Sequence, residues 1–140
     1  MKEDLNEILA YIPQRPPIVM IDKIFEVFDN KVVCQFKVKD DNIFVANGML
    51  REPGIIENIA QTIAAGAGYK YIIQNAEVKL GYIAAIKNLN IYFLPPVGAI
   101  LSTSVQIVNK VFNITIIQAE VNVENTKVAE CEMRIYIEDN

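Results

Sequence analysis

Apolar residues fall first at helical spacing, then at strand spacing, then back and forth once more. Leu5, Ile8, Leu9 and Ile12 stand three or four apart with acids and Asn6 between them, which predicts a short amphipathic helix over 1–12 that Pro13 ends. Gln14, Arg15, Pro16 and Pro17 must be extended or turn-like, because a residue before proline is pushed out of the helical region. Residues 18–28 read as a strand, Asp29-Asn30 as a turn and 31–39 as a second strand, together a hairpin. Asn47-Gly48 marks a turn or a close backbone approach. A long helix is predicted over 53–75, since proline suits a first helical turn, where its missing N–H would have no partner.

Ile55, Ile56, Ile59, Ala60, Ile63, Ala64 and Ala67 cover most of that helix's circumference, which predicts burial on several sides. Gly66 and Gly68 each cost about 1 kcal/mol of helix propensity relative to alanine, and close packing against a sheet is the expected compensation. Four strands follow at 81–93, 99–108, 113–123 and 127–137, with turns at 95–98, 109–113 and 125–126. An antiparallel sheet of about six strands and one nearly all-apolar helix have a natural solution: the sheet curls around the helix in an α+β domain. At 140 residues the chain is expected to be one domain, 1–140.

Composition narrows the function classes. Net charge is −4, and the 13 Lys and Arg are scattered singly, which argues against a nucleic-acid reader. No apolar run reaches transmembrane length, and the acids in the first residues do not suit a signal peptide, so no membrane insertion and a cytoplasmic location are expected. Cys34 and Cys131 lack metal-site spacing and read as reduced packing thiols; no metal or other cofactor is implied. The chain has no histidine, the usual proton shuttle near neutral pH.

Three local patterns carry a resemblance. Residues 12–22, Ile-Pro-Gln-Arg-Pro-Pro-Ile-Val-Met-Ile-Asp, are similar to an opening Leu-Pro-His-Arg-x-Pro followed by an apolar run and Asp. Residues 54–61, Gly-Ile-Ile-Glu-Asn-Ile-Ala-Gln, look like a central-helix motif, apolar-apolar-Glu-x-Met-Ala-Gln. Residues 93–98, Phe-Leu-Pro-Pro-Val-Gly, resemble a Phe-x-x-Pro-x-x-x-Gly turn. These belong to the hotdog-fold 3-hydroxyacyl-(acyl carrier protein) dehydratases, and the chain resembles most the subgroup associated with aryl-polyene and flexirubin-type pigments.

The resemblance implies a hotdog fold and a dimer, either a homodimer or one completed by a heteromeric hotdog partner, acting on an acyl carrier protein or coenzyme A thioester. The acidity of the chain is awkward for an acidic carrier protein, so docking would need a local patch around Arg15, Lys70 or Lys87. In such dehydratases a loop histidine takes the α-proton, a helix acid protonates the leaving hydroxyl, and a helix-start N–H polarises the thioester carbonyl.

Carried over, Glu57 matches the acid, Gln61 lies one turn later on its face, and Gly54 or a neighbour supplies the N–H. Asn47 or Gly48 stands near the place of the missing loop histidine, and Gln14 replaces the histidine of the opening motif. Neither amide is a base near pH 7, though both can bond a ligand. Read without the resemblance, Glu57, Asn58, Gln61 and Thr62 are a solvated polar stripe.

Three functions stay open. The first is a dehydratase working through Glu57 with altered base chemistry. The second is a non-catalytic binder or partner subunit, and the third a thioesterase using Glu57, which needs no histidine.

Overall fold

The computed structural model describes residues 5–76, 79 and 81–138. The elements run α1 (Leu5–Tyr11), β1 (Lys23–Val27), β2 (Lys31–Lys37), β3 (Val45–Ala46), β4 (Met49–Leu50), α2 (Glu52–Ile73), β5 (Gly81–Ile91), β6 (Ile100–Val111), β7 (Ile114–Val123) and β8 (Thr126–Ile137). Six strands form one antiparallel sheet in the order β1-β2-β6-β7-β8-β5, and β3-β4 make a small separate hairpin. This is the hotdog arrangement, with α2 held in the curl of the sheet. The start of the 1–12 helix lies outside the described residues.

Strand alternation builds the core. Val32, Cys34 and Phe36 of β2, Leu101 and Val105 of β6, Ile117 and Val121 of β7, and Cys131 and Met133 of β8 are buried, and Ile55, Ile59 and Ala65 of α2 meet them. The two helix glycines serve different neighbours. A Cβ at Gly66 would press on the Val32 side chain at 2.9 Å, so Gly66 lets α2 lie close on the sheet as expected. A Cβ at Gly68 would instead collide with the backbone carbonyl of Tyr11, so this glycine admits α1 and not the sheet. Tyr11 and Tyr69 rings, 5.7 Å apart, complete that crossing.

Several boundaries differ from the expectation. The strand predicted over 18–28 begins only at Lys23, because the preceding backbone is bonded to helix side chains. β6 runs to Val111, and the turn tightens to Phe112-Asn113, with Phe112 forced to φ 55°. The helix is also less evenly buried than its apolar wheel implies. Ile56, Ala60, Ile63, Ala64 and Ala67 are only half-buried, whereas the polar Asn58, Gln61 and Thr62 are fully buried.

The edges of the sheet are unequal. β1 is five residues long and bulged, with Lys23 and Glu26 on it, features that discourage further pairing. β5 is eleven residues long and pairs with β8 on one side, leaving Tyr82 52% and Ile83 42% exposed.

Gly68→Ala sets a helix-propensity gain of about 1 kcal/mol against overpacking that costs roughly 1–3 kcal/mol. Because the obstacle is backbone, overpacking wins, and urea unfolding of the variant is expected to show a lower midpoint than the parent.

Candidate functional site

Glu57 lies in the second turn of α2 and is half-buried, with Oε1 accepting a hydrogen bond of 2.8 Å from Gln61 Nε2. One helical turn brings residues i and i+4 onto one face, so the pairing is local. What makes it rigid is not. Gln61 Nε2 also donates to the Ile18 carbonyl at 2.8 Å, and Gln61 Oε1 accepts from the Met20 N–H at 2.6 Å. Asn58 Nδ2 donates to the Met20 carbonyl at 2.7 Å, Thr103 Oγ1 donates to Asn58 Oδ1 at 2.6 Å, and Thr62 Oγ1 donates to the Asn58 carbonyl at 2.8 Å. Asn58, Gln61, Thr62 and Thr103 are fully buried, so the solvated-stripe reading of this face is overturned. The segment ahead of β1 supplies backbone groups that the sheet does not pair, and helix amides satisfy them.

Both N–H groups of Gln61 are thus engaged, one of them on Glu57. In this structure Gln61 orients the carboxylate. The sequence places Asn58 only in the polar stripe and does not single out Thr103. The inward register of Thr103 was readable from its place between Leu101 and Val105, but its partner 45 positions away was not.

Gly54 sits in the first turn of α2. A Cβ there would meet Leu50 Cδ1 at 2.6 Å and Phe44 Cβ at 2.7 Å, so glycine is required for the hairpin to pack on the helix start. Its N–H donates to the Arg51 carbonyl at 2.9 Å, and that of Ile55 reaches the same oxygen at 3.3 Å. Pro53 has no N–H. The Glu52 carboxylate accepts from its own backbone N–H, and this bond, then the Arg51 guanidinium 3.2 Å away, holds its carboxyl below the usual value. A carbonyl entering at this helix start must therefore share a donor already in use.

Asn47 (φ 55°) and Gly48 (φ 74°) form the two-residue turn of the β3-β4 hairpin, and both are exposed. The hairpin is tied to the turn after β5: the Val97 N–H donates to the Gly48 carbonyl at 2.9 Å, and the Leu50 N–H to the Pro95 carbonyl at 2.8 Å. Among the described residues no hydrogen bond joins Asn47 or Gly48 to Glu57. Gln14 is half-buried, and its Oε1 is enclosed without a hydrogen-bond partner. Next to it, Arg15 donates to the Ile12 and Gln14 carbonyls, each at 2.8 Å. Burial pushes the Cys34 thiol up to about 12, against a smaller opposing bond from Thr62, and burial pushes Cys131 up to about 11.

A long central helix wrapped by a six-stranded antiparallel sheet is the hotdog fold, and Glu57 with its i+4 glutamine stands where the dehydratase resemblance puts them. The chain belongs to the ApeP-like family, described as ApeP dehydratase, which it matches over residues 6–140. It is 29% identical to the 3-hydroxyacyl-[acyl-carrier-protein] dehydratase FabZ of Clostridium botulinum, over 96% of this chain and 95% of that protein. The fold is also that of a chain in the dehydratase heterocomplex ApeI:P from Xenorhabdus doucetiae, with a TM-score of 0.88, 20% identity and coverage of 95% and 91%. A hypothetical thioesterase from Streptococcus pneumoniae, solved with coenzyme A, shares the fold at a TM-score of 0.64, 10% identity and coverage of 82% and 86%. The dehydratase resemblance in the sequence is thereby upheld at the level of the family.

Gln61→Leu leaves the Met20 N–H and Ile18 carbonyl buried without partners, and each such loss costs about 1–3 kcal/mol. The variant is expected to unfold at markedly lower denaturant. The two thiols, protonated far above neutrality, should resist a thiol reagent at pH 8 until the protein unfolds. Since their folded pKa values lie above the unfolded one, their burial supports the fold fully below about pH 9, and this support is expected to fade as pH rises toward 12. Thermal melts across that range read it directly.

Proposed function

We propose that the chain is one subunit of a two-hotdog lyase that dehydrates 3-hydroxyacyl thioesters of acyl carrier protein, with Glu57 as the acid and a heteromeric partner supplying the base. The observation that carries this is a half-buried, Gln61-oriented carboxylate at the family's acid position in a chain with no histidine. In the reaction a base removes the α-proton, the electron pair forms the double bond, and Glu57 gives its proton to the hydroxyl, which leaves as water. Asn47, Gly48 and Gln14 are neutral and serve as ligand contacts; the enclosed, partnerless Oε1 of Gln14 is an acceptor free for a substrate group. The Gly54 N–H, or that of its neighbour Ile55 with its longer bond of 3.3 Å to Arg51, is the donor shared with the thioester carbonyl.

The Xenorhabdus neighbour is part of a heterocomplex, which favours a mixed pair over a homodimer, and the long β5 edge gives such a partner a place to continue the sheet. Acyl carrier protein is preferred to coenzyme A because the Clostridium relative is described as acting on it. No helix among the described residues is long and apolar enough to cross a membrane, and cytoplasmic work on a carrier-bound substrate fits that.

The test follows enoyl absorbance and free thiol with 3-hydroxyacyl carrier protein, using the chain alone and with the hotdog chain that co-purifies with it. The pair is expected to dehydrate about 10²–10⁴-fold faster than the chain alone, and Glu57→Gln in the pair to lose a similar factor. Full activity of the chain alone would place the base within it. A pair indifferent to Glu57→Gln would make this a non-catalytic subunit, and thiol release that depends on Glu57 would make it a thioesterase.

Placing lysine at both Ile83 and Leu89 charges the β5 edge, and gel filtration is expected to shift such a variant from dimer to monomer while its far-ultraviolet dichroism stays unchanged.

A further inference from the structure

The half of α2 beyond Ile63 faces a cavity that Glu57 does not line. Its volume is about 380 Å³, within the ordinary range of small-ligand pockets, about 300–1,000 Å³. Val32, Ile63, Ala67, Ile107, Ile117 and Ile135 form an aliphatic wall between helix and sheet. Lys31, Lys70, Lys79 and Lys110 also line it, and among the described residues no Asp or Glu does. In a chain of net charge −4, Lys31, Lys70 and Lys110 gathered on one cavity make a local positive field. Lys70 donates to the Asp29 carbonyl, which holds the ammonium in place without neutralising it. Lys31, Lys70 and Lys110 form no ion pair among the described residues.

Two further features fit an amphiphile. Phe112, 99% exposed, lines the cavity from the β6-β7 turn, and its apolar ring there has no protein cover. The carbonyl end of α2, which would repel an anion, is closed off: the Lys70, Tyr71 and Ile72 carbonyls accept from the N–H groups of Gln74, Ala76 and Asn75. From these we infer that the cavity binds a single-chain fatty carboxylate, the chain against the aliphatic wall and the carboxylate among the lysines. Glu57 does not line this cavity, whose nearest wall on the helix, Ile63, is six residues along, about 9 Å, and whose basic end at Lys70 is about 20 Å away at 1.5 Å per residue. This site does not depend on the dehydratase reading.

The experiment is calorimetric titration of the full chain, in the assembly in which it purifies, with decanoate, decanol and decyltrimethylammonium. Decanoate is expected to bind at least about tenfold more tightly than the cation, and Lys31→Gln with Lys110→Gln to weaken decanoate about tenfold while leaving decanol nearly unchanged. Both lysines are exposed, so this variant tests the site without threatening the fold. Ala67→Phe, which fills the cavity, is expected to abolish binding of decanoate and decanol alike. Equal binding of anion and cation, decanoate affinity indifferent to the lysine pair, or full binding by a folded Ala67→Phe protein would each overturn the inference.

Discussion

Ahead of β1, the Ile18 carbonyl and both backbone groups of Met20 turn to the central helix, which answers them with buried amides. Met20 is held at both its N–H and its carbonyl, by Gln61 and Asn58, and Ile18 by Gln61 again. Leaving such groups unpaired inside the protein would cost about 1–3 kcal/mol apiece, so this small set of bonds fixes the helix's rotation within the sheet. Once the rotation is fixed, so is the direction of Glu57, which shares Gln61 with that bracket. The acid site is thus an extension of the interaction that seats the helix.

Around that constraint the rest is packing by omission. Gly66 lets the helix approach β2, Gly68 lets α1 cross it, and Gly54 lets the β3-β4 hairpin close over its first turn. Three contacts on two sides of one helix, spread along its length, leave little freedom for an alternative placement. Beside the close contact of Gly66 with Val32, toward the C-terminus of α2, helix and sheet enclose a lysine-lined cavity.

The two ends of the helix carry different chemistry. Near its start stands a carboxylate with an orienting amide in a chain with no histidine, and the proposed function leaves the base to a second subunit across the β5 edge. Near its end is a basic, aliphatic hollow suited to holding a chain without chemistry. An acyl-handling fold supports both, because a sheet curled around an apolar helix provides long aliphatic walls on either side of it.

By itself the sequence determined the order of the long elements, the α+β curl and the family, and it singled out Glu57 on the central helix. These follow from periodicity and from short motifs, which are local and survive in one dimension. It also marked Asn47-Gly48 as a turn and the helix glycines as sites of close approach. Tertiary structure decided what those features meet. Asn58, Gln61 and Thr62 read as a wet stripe in sequence but lie in the core, where Asn58 and Gln61 find partners at Ile18, Met20 and Thr103 about 40 positions away. Likewise only the fold shows that Gly68 answers α1, that the helix-start N–H groups are already taken, and that four lysines far apart in sequence share one cavity. Burial and long-range pairing depend on which segments the chain brings together, and hydrophobic spacing records only which side of an element is apolar.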